Sequence, residues 1–270
     1  MTGLVRLVHP APAAAVVLLS AALGTILLGQ AGQSLVGAPL LLTVLAVAGS
    51  QVFTGALNDW ADRARDAVAQ PGKPIPSGQV SPSAALALAG AGLVVQVAAS
   101  APLGPLPLLL GLAASGSAAA YDLWLSRTPA SVLPYLVSFG ILPLWIASGV
   151  GVSLERVALA PLLVGPFAAA AHLANTLRDF DGDAALGSRS LAQTLGRRRA
   201  FVTAWLLAMG VGVTAGVVAL TGGVLGPIVT LLGAAGLVAV VQGYPGPGRL
   251  WPGMLVAAVT WTAAWAIATG

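Results

Sequence analysis

Charged residues are scarce in this chain. Of its 270 residues, twelve are Lys or Arg and eight are Asp or Glu, which is 7% of the sequence, whereas 57% are hydrophobic. A soluble domain carries roughly 25% charged residues. With so little charge and a mean hydropathy of +0.92, the chain lacks the polar surface that a water-soluble fold requires. The composition therefore indicates a polytopic membrane protein.

Cysteine is absent, and histidine occurs only twice. The absence of cysteine excludes disulfide bonds and thiolate metal sites. His9 and His172 lie far apart in sequence, which argues against a His-based zinc site, and we expect His172 to be a buried packing residue. The basic residues are few and scattered, so nucleic-acid binding is not expected, and no obligate protein partner is evident.

Long apolar segments account for most of the sequence. A membrane-spanning helix needs about 20 mostly apolar residues. Nine segments meet this requirement: 12–30, 36–57, 82–100, 103–121, 131–150, 157–176, 200–221, 224–242 and 251–269. Pro102, Gly104, Pro105 and Pro107 predict a tight turn or a broken helix between the third and fourth segments. We therefore predict an all-α membrane protein, a bundle of nine transmembrane helices that forms a single domain over residues 1–270.

The basic residues fall almost entirely on one side if the N-terminus is cytoplasmic. Eleven of the twelve Lys and Arg residues then lie on the cytoplasmic side, and only Arg156 lies outside. Because basic residues concentrate in cytoplasmic loops, this asymmetry predicts nine spans, a cytoplasmic N-terminus and a C-terminus on the opposite side. Seven of the eight acidic residues share the cytoplasmic side. We expect most tryptophans of the last spans to face lipid or the interface: Trp205, Trp251, Trp261 and Trp265.

An acidic stretch ends the second apolar segment. As a helix, it places Asn58, Asp62 and Asp66 at positions i, i+4 and i+8, on one face. Like charges at this spacing repel one another, and more strongly where solvation is poor at a membrane edge. A cation offsets this repulsion, and carboxylate and carbonyl oxygens suit Mg²⁺. Taken alone, the stretch could also be a solvated helix end with ion pairs to Arg63 and Arg65.

The same pattern follows the sixth apolar segment. Asn175, Asp179 and Asp183 repeat the spacing 117 residues later. A basic residue follows each stretch, Lys73 after the first and Arg189 after the second. Two acidic faces with cationic companions predict a site that holds metal ions around a diphosphate.

The loops that follow the acidic stretches predict two cytoplasmic caps, over about residues 63–81 and 180–199. The first contains Gln70–Gly78, which is rich in turn-forming residues. The second contains Leu191–Leu195, which we predict to be a short amphipathic helix. Segments of this kind close over a site and exclude water.

Three motifs in this order resemble the UbiA superfamily of intramembrane prenyltransferases, which includes 4-hydroxybenzoate polyprenyltransferases and chlorophyll synthases. They are Asn58-Asp59-x-x-Asp62-x-x-x-Asp66, then Lys73-Pro74-Ile75-Pro76-Ser77-Gly78, then Asp179-x-x-x-Asp183 followed by Gly187 and Arg189. The resemblance covers most of the chain. It implies nine helices around a central cavity that opens to lipid, with the active site at the cytoplasmic mouth.

The resemblance also implies roles for individual residues. The implied ligands of Mg²⁺, expected as two ions, are Asn58, Asp59, Asp62, Asp66, Asn175, Asp179 and Asp183. Four of these carboxylates are the implied catalytic residues: Asp62, Asp66, Asp179 and Asp183. The implied contacts to the diphosphate are Lys73, Tyr121, Arg127 and Arg189. Relatives often carry a Lys-Arg pair where this chain has Ser126-Arg127. Asp181 is left open between a further ligand and a solvent-facing residue.

The function implied is Mg²⁺-dependent ionisation of a polyprenyl diphosphate and transfer of the prenyl group to an acceptor, which is often aromatic in the superfamily. The expected partners are this diphosphate, the acceptor and membrane lipid. A terpene cyclase that traps the cation within the chain would use the same metal site and stays an alternative. A cation-coupled transporter is the remote alternative, because transporter carboxylates usually lie near the membrane midplane.

Overall fold

The computed structural model describes residues 3–244 and 246–269. These residues form α-helices joined by turns, with short 3₁₀ segments and one π-helical turn, and contain no strand, so the all-α prediction is confirmed. The α-helices are α1 Gly3–Leu7, α2 Pro10–Gln30, α3 Ala38–Ala69, α4 Pro82–Ser100, α5 Pro105–Ala120, α6 Leu133–Gly149, α7 Ala160–Thr176, α8 Phe180–Ala185, α9 Leu191–Leu195, α10 Arg197–Thr221, α11 Pro227–Gln242 and α12 Pro247–Thr269.

Seven helical segments within the described ranges are long and apolar enough to cross a membrane. The fifth and eighth predicted spans correspond to the shorter apolar helices α6 and α11, of 17 and 16 residues. Helices of that length reach only about 26 and 24 Å, against a hydrocarbon core of about 30 Å. The count of nine spans therefore stays a prediction, whereas a multi-pass membrane protein is established.

The chain divides into two compact units. Unit 1 comprises Met1–Ser126 and Val137–Pro161, and unit 2 comprises Arg127–Leu136 and Leu162–Gly270. Each unit contains one of the two acidic stretches. The prediction of a single domain is not tested by this division.

Helix α3 organises unit 1. Its 32 residues make it about 48 Å long, so it can cross the hydrocarbon core and extend several turns beyond it. The acidic stretch occupies these last turns, where alanine and arginine favour continued helix. The prediction that Asn58, Asp62 and Asp66 share one helical face is therefore confirmed.

Close approach of α3 and α4 fixes the position of the acidic end. A Cβ atom on Gly49 would lie 2.6 Å from the backbone nitrogen of Gln96, and one on Gly92 would lie 2.6 Å from that of Phe53. Only glycine permits this backbone contact. Nearer the acidic end, Ala56, Leu57 and Ala89 belong to a buried apolar cluster with Leu7 and Val80. The acidic turns of α3 thus begin immediately after residues that are packed in this cluster.

Unit 2 has its own core. Its buried residues come mainly from α7, α10 and α12, and Trp205 and Trp261 pack against them. The indole N–H of Trp205 donates to the carbonyl of Val240 at 3.0 Å, and that of Trp261 donates to the carbonyl of Gly233 at 3.1 Å. Each of these half-buried tryptophans therefore satisfies its polar group on helix α11, and the expectation that they face lipid or the interface stays a prediction.

Turns end the helices where the sequence predicts them. A 3₁₀ segment, Ala101–Leu103, follows α4, and Gly104 adopts a φ of +109° before α5 begins at Pro105.

The predicted helix Leu191–Leu195 is helix α9. Its Leu191 and Leu195 pack against the core, as expected of an amphipathic segment. Helix α3 runs to Ala69, so the first predicted cap, 63–81, begins within a helix and is a loop only from Gln70.

Candidate active site

Lys73 bridges two buried carboxylates at the end of α3. Its Nζ atom lies 3.0 Å from Oδ1 of Asp59 and 2.8 Å from Oδ2 of Asp66. These aspartates are seven residues apart, two turns along the same helix, and they are 2% and 5% exposed. Buried carboxylates require a cationic partner, because burial removes the water that stabilises their charge. The structure therefore brings together three of the predicted site residues.

The loop after α3 folds back to deliver Lys73. The N–H of Ser77 donates to the carbonyl of Lys73, that of Val80 donates to the carbonyl of Pro74, and Gly78 adopts a φ of +72°. Burial alone would lower the pKa of Lys73. The hydrogen bond to Asp66 and the negative charge of Asp59 outweigh burial and raise that pKa above its usual value. Lys73 is therefore a cation at neutral pH.

Asn58 faces a buried aspartate that was not among the predicted site residues. Its Nδ2 atom donates to Oδ1 of Asp122 at 3.0 Å. Asp122 lies in the π-helical turn Tyr121–Leu125 and is 9% exposed, and its Oδ2 atom is buried without a hydrogen-bond partner. Irregular turns of this kind are frequent at functional sites. In the sequence, only the position of Asp122 beside Tyr121 pointed to it.

The remaining predicted residues of unit 1 lie close to these groups along the chain. Asp62 is half-buried on α3, one turn after Asn58 and one turn before Asp66. Tyr121 is half-buried and begins the π-helical turn. Arg63, considered as an ion-pair partner, instead donates to the carbonyl of Trp60 at 2.6 Å and lies over the Trp60 ring.

The second acidic stretch has a different backbone from the first. Helix α7 ends at Thr176, Asp179 precedes α8 with φ −104° and ψ 16°, and α8 begins at Phe180. Asn175 and Asp179 are exposed, and Asp183 is half-buried within α8. The second stretch therefore does not lie on one continuous helix. Leu177, Arg178 and Asp179 separate α7 from α8, and aspartate is a weak helix former, so the helix is interrupted here although the spacing is the same.

Two predicted diphosphate contacts meet in unit 2. The backbone N–H of Arg189 donates to the carbonyl of Arg127 at 3.1 Å, and the N–H of Leu191 donates to Oγ of Ser131 at 3.2 Å. Both arginine side chains are exposed. Arg189 also borders an open pocket of about 430 Å³, whose other lining residues are Pro129, Ala184, Ser188, Gln193 and Thr194.

Two residues near the second stretch have other roles. Asp181 forms an exposed ion pair with Arg197 at 2.7 Å, so it faces solvent. His172 is 4% exposed and stacks on Tyr135 with ring centroids 4.1 Å apart, which confirms its packing role.

The donors at the end of α3 fit a hard divalent cation. Among the described residues, no group of three or more His, Asp or Glu side chains is already gathered for a metal. Mg²⁺ commonly uses only one or two carboxylates together with substrate phosphates. The buried, unpartnered Oδ2 of Asp122 beside the Asn58 amide, with Asp62 one turn further along α3, supplies oxygen donors of the required kind.

Part of this chain is similar in sequence to proteins of known name. The chain is 32% identical over 161 residues to the digeranylgeranylglyceryl phosphate synthase of Korarchaeum cryptofilum. The aligned region covers 57% of this chain and 55% of that protein. It is 29% identical over 205 residues to the enzyme of the same name from Natronomonas pharaonis, covering 75% and 72% of the two chains. The chain thus spans little more than half the length of the first relative.

Solved structures share the fold. An apo UbiA homologue from Aeropyrum pernix K1 aligns with a TM-score of 0.75 at 22% identity, covering 92% of this chain and 96% of the other. A UbiA homologue from Archaeoglobus fulgidus bound to GPP and Mg²⁺ aligns with a TM-score of 0.71 at 16% identity, covering 99% and 100%. The profile of the UbiA prenyltransferase family matches residues 17–245. The chain therefore belongs to the UbiA prenyltransferase family.

Proposed function

We propose that this protein ionises a polyprenyl diphosphate with the help of Mg²⁺ and transfers the prenyl group to an acceptor. The observation that carries the proposal is the cluster at the end of α3. There Lys73 joins Asp59 to Asp66, and Asn58 donates to Asp122, whose Oδ2 atom has no hydrogen-bond partner. Such a cluster combines oxygen donors for a cation with a fixed ammonium for an anion. A diphosphate with Mg²⁺ presents both charges.

Lys73 would hold the diphosphate directly. An ammonium has three N–H donors, and two of them point to Asp59 and Asp66. The third is then available for a diphosphate oxygen, with the amine already oriented. Tyr121, Arg127 and Arg189 are proposed as the other diphosphate contacts. Donors fixed before the reaction stabilise developing charge without further reorganisation.

The proposed Mg²⁺ ligands are the carboxylates and amides of both acidic stretches, Asn58, Asp59, Asp62, Asp66, Asn175, Asp179 and Asp183. When bound, Mg²⁺ neutralises charge on the leaving diphosphate. Within the first stretch, Asp59 and Asp66 share Lys73, and the Asn58 amide contacts Asp122. A UbiA homologue from Archaeoglobus fulgidus with the same fold binds GPP and Mg²⁺, which supports Mg²⁺ as the metal. We propose two ions, as the two stretches suggest.

Exclusion of water is required because an allylic cation reacts readily with it. We propose that the segments 63–81 and 180–199 cap a cavity at the cytoplasmic mouth. The short helix α9 and the hydrogen bond from Gln193 Nε2 to the carbonyl of Phe180, at 2.6 Å, give the second segment an ordered structure. Nine spans, with the N-terminus in the cytoplasm and the C-terminus on the opposite side, complete the proposed arrangement.

The test is turnover by the purified protein in nanodiscs with Mg²⁺ and labelled prenyl diphosphates of 10 to about 20 carbons. Three reactions are compared: no acceptor, geranylgeranylglyceryl phosphate, and 4-hydroxybenzoate. The first acceptor follows the names of the relatives and the second follows the motif resemblance. We expect diphosphate release that requires both Mg²⁺ and one of the acceptors. Asp62→Ala and Asp179→Ala should each lower the rate by 100-fold or more, an order of magnitude typical of lost charge stabilisation.

Other outcomes have defined meanings. Release of diphosphate without any acceptor, together with cyclic hydrocarbons, would establish the terpene cyclase alternative. Folded protein that neither turns over nor binds any of the diphosphates would contradict the proposal and revive the transporter alternative.

A further inference from the structure

The N-terminal segment is tied to the loop that carries Lys73. Arg6 reaches across with its guanidinium: Nη2 donates to the carbonyl of Gly72 at 2.9 Å, and Nη1 donates to Oε1 of Gln79 at 3.2 Å. Gly72 and Gln79 lie on either side of the turn that holds Lys73. The segment therefore contacts both arms of this loop.

Packing holds the same segment against α3. Leu7 has no exposed surface and belongs to the cluster that contains Ala56 and Val80. A Cβ atom on Gly55 would lie 2.8 Å from the carbonyl oxygen of Leu7, so the two backbones are in direct contact. Helix α1 is therefore docked on α3 one turn before the acidic stretch.

His9 follows this docked segment in an unusual backbone conformation. Its φ is +51°, and it is the only residue other than glycine with a positive φ among residues 3–244 and 246–269. Residues other than glycine adopt this region uncommonly, although histidine does so more often than most, and surrounding contacts stabilise it here. One such contact is from Nε2 of His9 to Oδ1 of Asp59, at 3.1 Å. The carboxylate accepts, so His9 carries a proton on Nε2.

A continuous chain of polar contacts then leads from His9 to the proposed substrate contact. Oδ1 of Asp59 is shared by His9 at 3.1 Å and by Lys73 at 3.0 Å, and Lys73 continues to Asp66 at 2.8 Å. Asp59 is 2% exposed, so water contributes little to its orientation. His9 and Lys73 therefore fix the orientation of the Asp59 carboxylate, and this carboxylate in turn helps to orient the Lys73 ammonium.

We propose that His9 is a positioning residue, which acts through Asp59 to orient the Lys73 ammonium for a diphosphate oxygen. The N-terminal segment is then part of the substrate site, with Arg6 and Leu7 placing His9. This inference rests on the proposed function only in taking a diphosphate as the ligand of Lys73. The contacts among His9, Asp59 and Lys73 do not depend on it.

Lys73 is the only lysine in the chain, which permits a direct test. The rate at which a water-soluble acylating reagent modifies Lys73 is followed by mass spectrometry of its peptide, on the full-length protein in nanodiscs. We compare the wild type with His9→Gly, His9→Gln and Leu7→Ala. Glycine accepts the positive φ, so His9→Gly removes the imidazole without adding backbone strain. Glutamine places an amide N–H at a reach similar to that of Nε2.

Loss of a hydrogen bond to a charged group changes an equilibrium by about tenfold. We therefore expect Lys73 to be acylated about tenfold faster in His9→Gly. His9→Gln should restore most of the protection. Leu7→Ala removes packing but leaves the imidazole, so it should lower the melting temperature with Lys73 still protected. In calorimetry with inorganic diphosphate and Mg²⁺, His9→Gly should bind about tenfold more weakly than the wild type.

An unchanged acylation rate of Lys73 in His9→Gly would overturn the proposal. A second pattern would also overturn it: acylation that is faster in His9→Gly, equally fast in His9→Gln, and faster in Leu7→Ala as well. The second pattern would mean that His9 is only a structural residue. Faster acylation of Lys73 with no change in diphosphate binding would keep the positioning role of His9 but refute Lys73 as a diphosphate contact. The two readouts therefore separate this inference from the proposed function.

Discussion

Lys73 is the residue on which the first acidic stretch depends. Without it, Asp59 and Asp66 would be buried with no cation between them. Removing one partner of a buried ion pair costs about 3–5 kcal/mol because an uncompensated charge is left behind. We therefore predict that Lys73→Met lowers the melting temperature in detergent by several degrees and abolishes activity. Lys73→Arg keeps the charge and should retain most of the stability.

The same residue sets a pH dependence. The pKa of Lys73 is raised in the folded protein, so the stability that it contributes is complete below the ordinary lysine pKa of 10.5. It is lost only as the pH rises through the higher, folded pKa. The difference in melting temperature between wild type and Lys73→Met should therefore be constant from neutral pH to about pH 9. A difference that disappears within this range would contradict the raised pKa.

Asp122 offers a second test at the level of single residues. Asp122→Asn keeps an oxygen that accepts the Asn58 amide but removes a carboxylate oxygen beside the proposed metal ligands. We predict that the Mg²⁺ concentration for half-maximal activity rises about tenfold or more, as is usual when a group supporting a metal ligand is changed. Asp181→Asn, in the exposed pair with Arg197, is the matched control and should leave this concentration unchanged. An unaffected Mg²⁺ requirement in Asp122→Asn would remove Asp122 from the site.

The sequence identified residues of the site but did not show which of their side chains contact one another. Repeated Asn-x3-Asp-x3-Asp spacing located Asn58, Asp62 and Asp66 on one helical face, as the structure has them. The partnership of Lys73 with Asp59 depends on how a loop folds back on a helix, and spacing does not determine that. His9 is separated from Asp59 by 50 positions, so only the packing of α1 on α3 brings them together.

At the level of elements, identical spacing produced different backbones. The first acidic stretch continues a helix rich in alanine, whereas the second is divided between α7 and α8 by a break that ends at Asp179. Helical periodicity predicted the segments themselves well. Helix breaks depend on the balance between local propensity and packing, which a regular pattern of side chains does not reveal.

Helix α4 contains a matched pair of glycines that tests the packing of unit 1. A Cβ atom on Gly92 would clash with the backbone of α3, whereas Gly90 is exposed with open space around it. We predict that Gly92→Ala destabilises the protein by about 1–3 kcal/mol through overpacking. Gly90→Ala should be neutral or stabilising by up to about 1 kcal/mol, since alanine is the better helix former. Thermal unfolding in detergent measures both, and equal effects would contradict the close contact of α3 and α4.

At the level of the whole molecule, the distribution of charge predicted the membrane class correctly. Composition alone established a multi-pass protein, because 7% charge cannot cover a water-facing surface. It could not show that Trp205 and Trp261 also pack against the core of unit 2, because large apolar residues suit both environments. Nor could it show whether α6 and α11 cross the membrane, because each is shorter than a typical span.

Single cysteines can decide the number of spans, since the natural chain has none. We predict that Gln70→Cys is labelled by an impermeant maleimide only from the cytoplasmic side and Arg156→Cys only from the opposite side. Helices α4, α5 and α6 lie between these residues, and α4 and α5 are each long enough to cross. The two cysteines can therefore lie on opposite sides only if α6 crosses as well. Val224→Cys and Tyr244→Cys test α11 in the same way. Labelling of both members of a pair from one side would reduce the count of spans.

We propose above all that Mg²⁺-dependent binding of the diphosphate requires both acidic stretches. The most direct measurement is the Mg²⁺-dependent affinity for a prenyl thiolodiphosphate, which binds without ionising readily, in the wild type, Asp62→Ala, Asp179→Ala and the control Asp181→Asn. We predict that Mg²⁺ strongly tightens binding by the wild type and the control. Asp62→Ala and Asp179→Ala should each lose most of this increase. Binding by Asp179→Ala that responds to Mg²⁺ as the wild type does would contradict the claim.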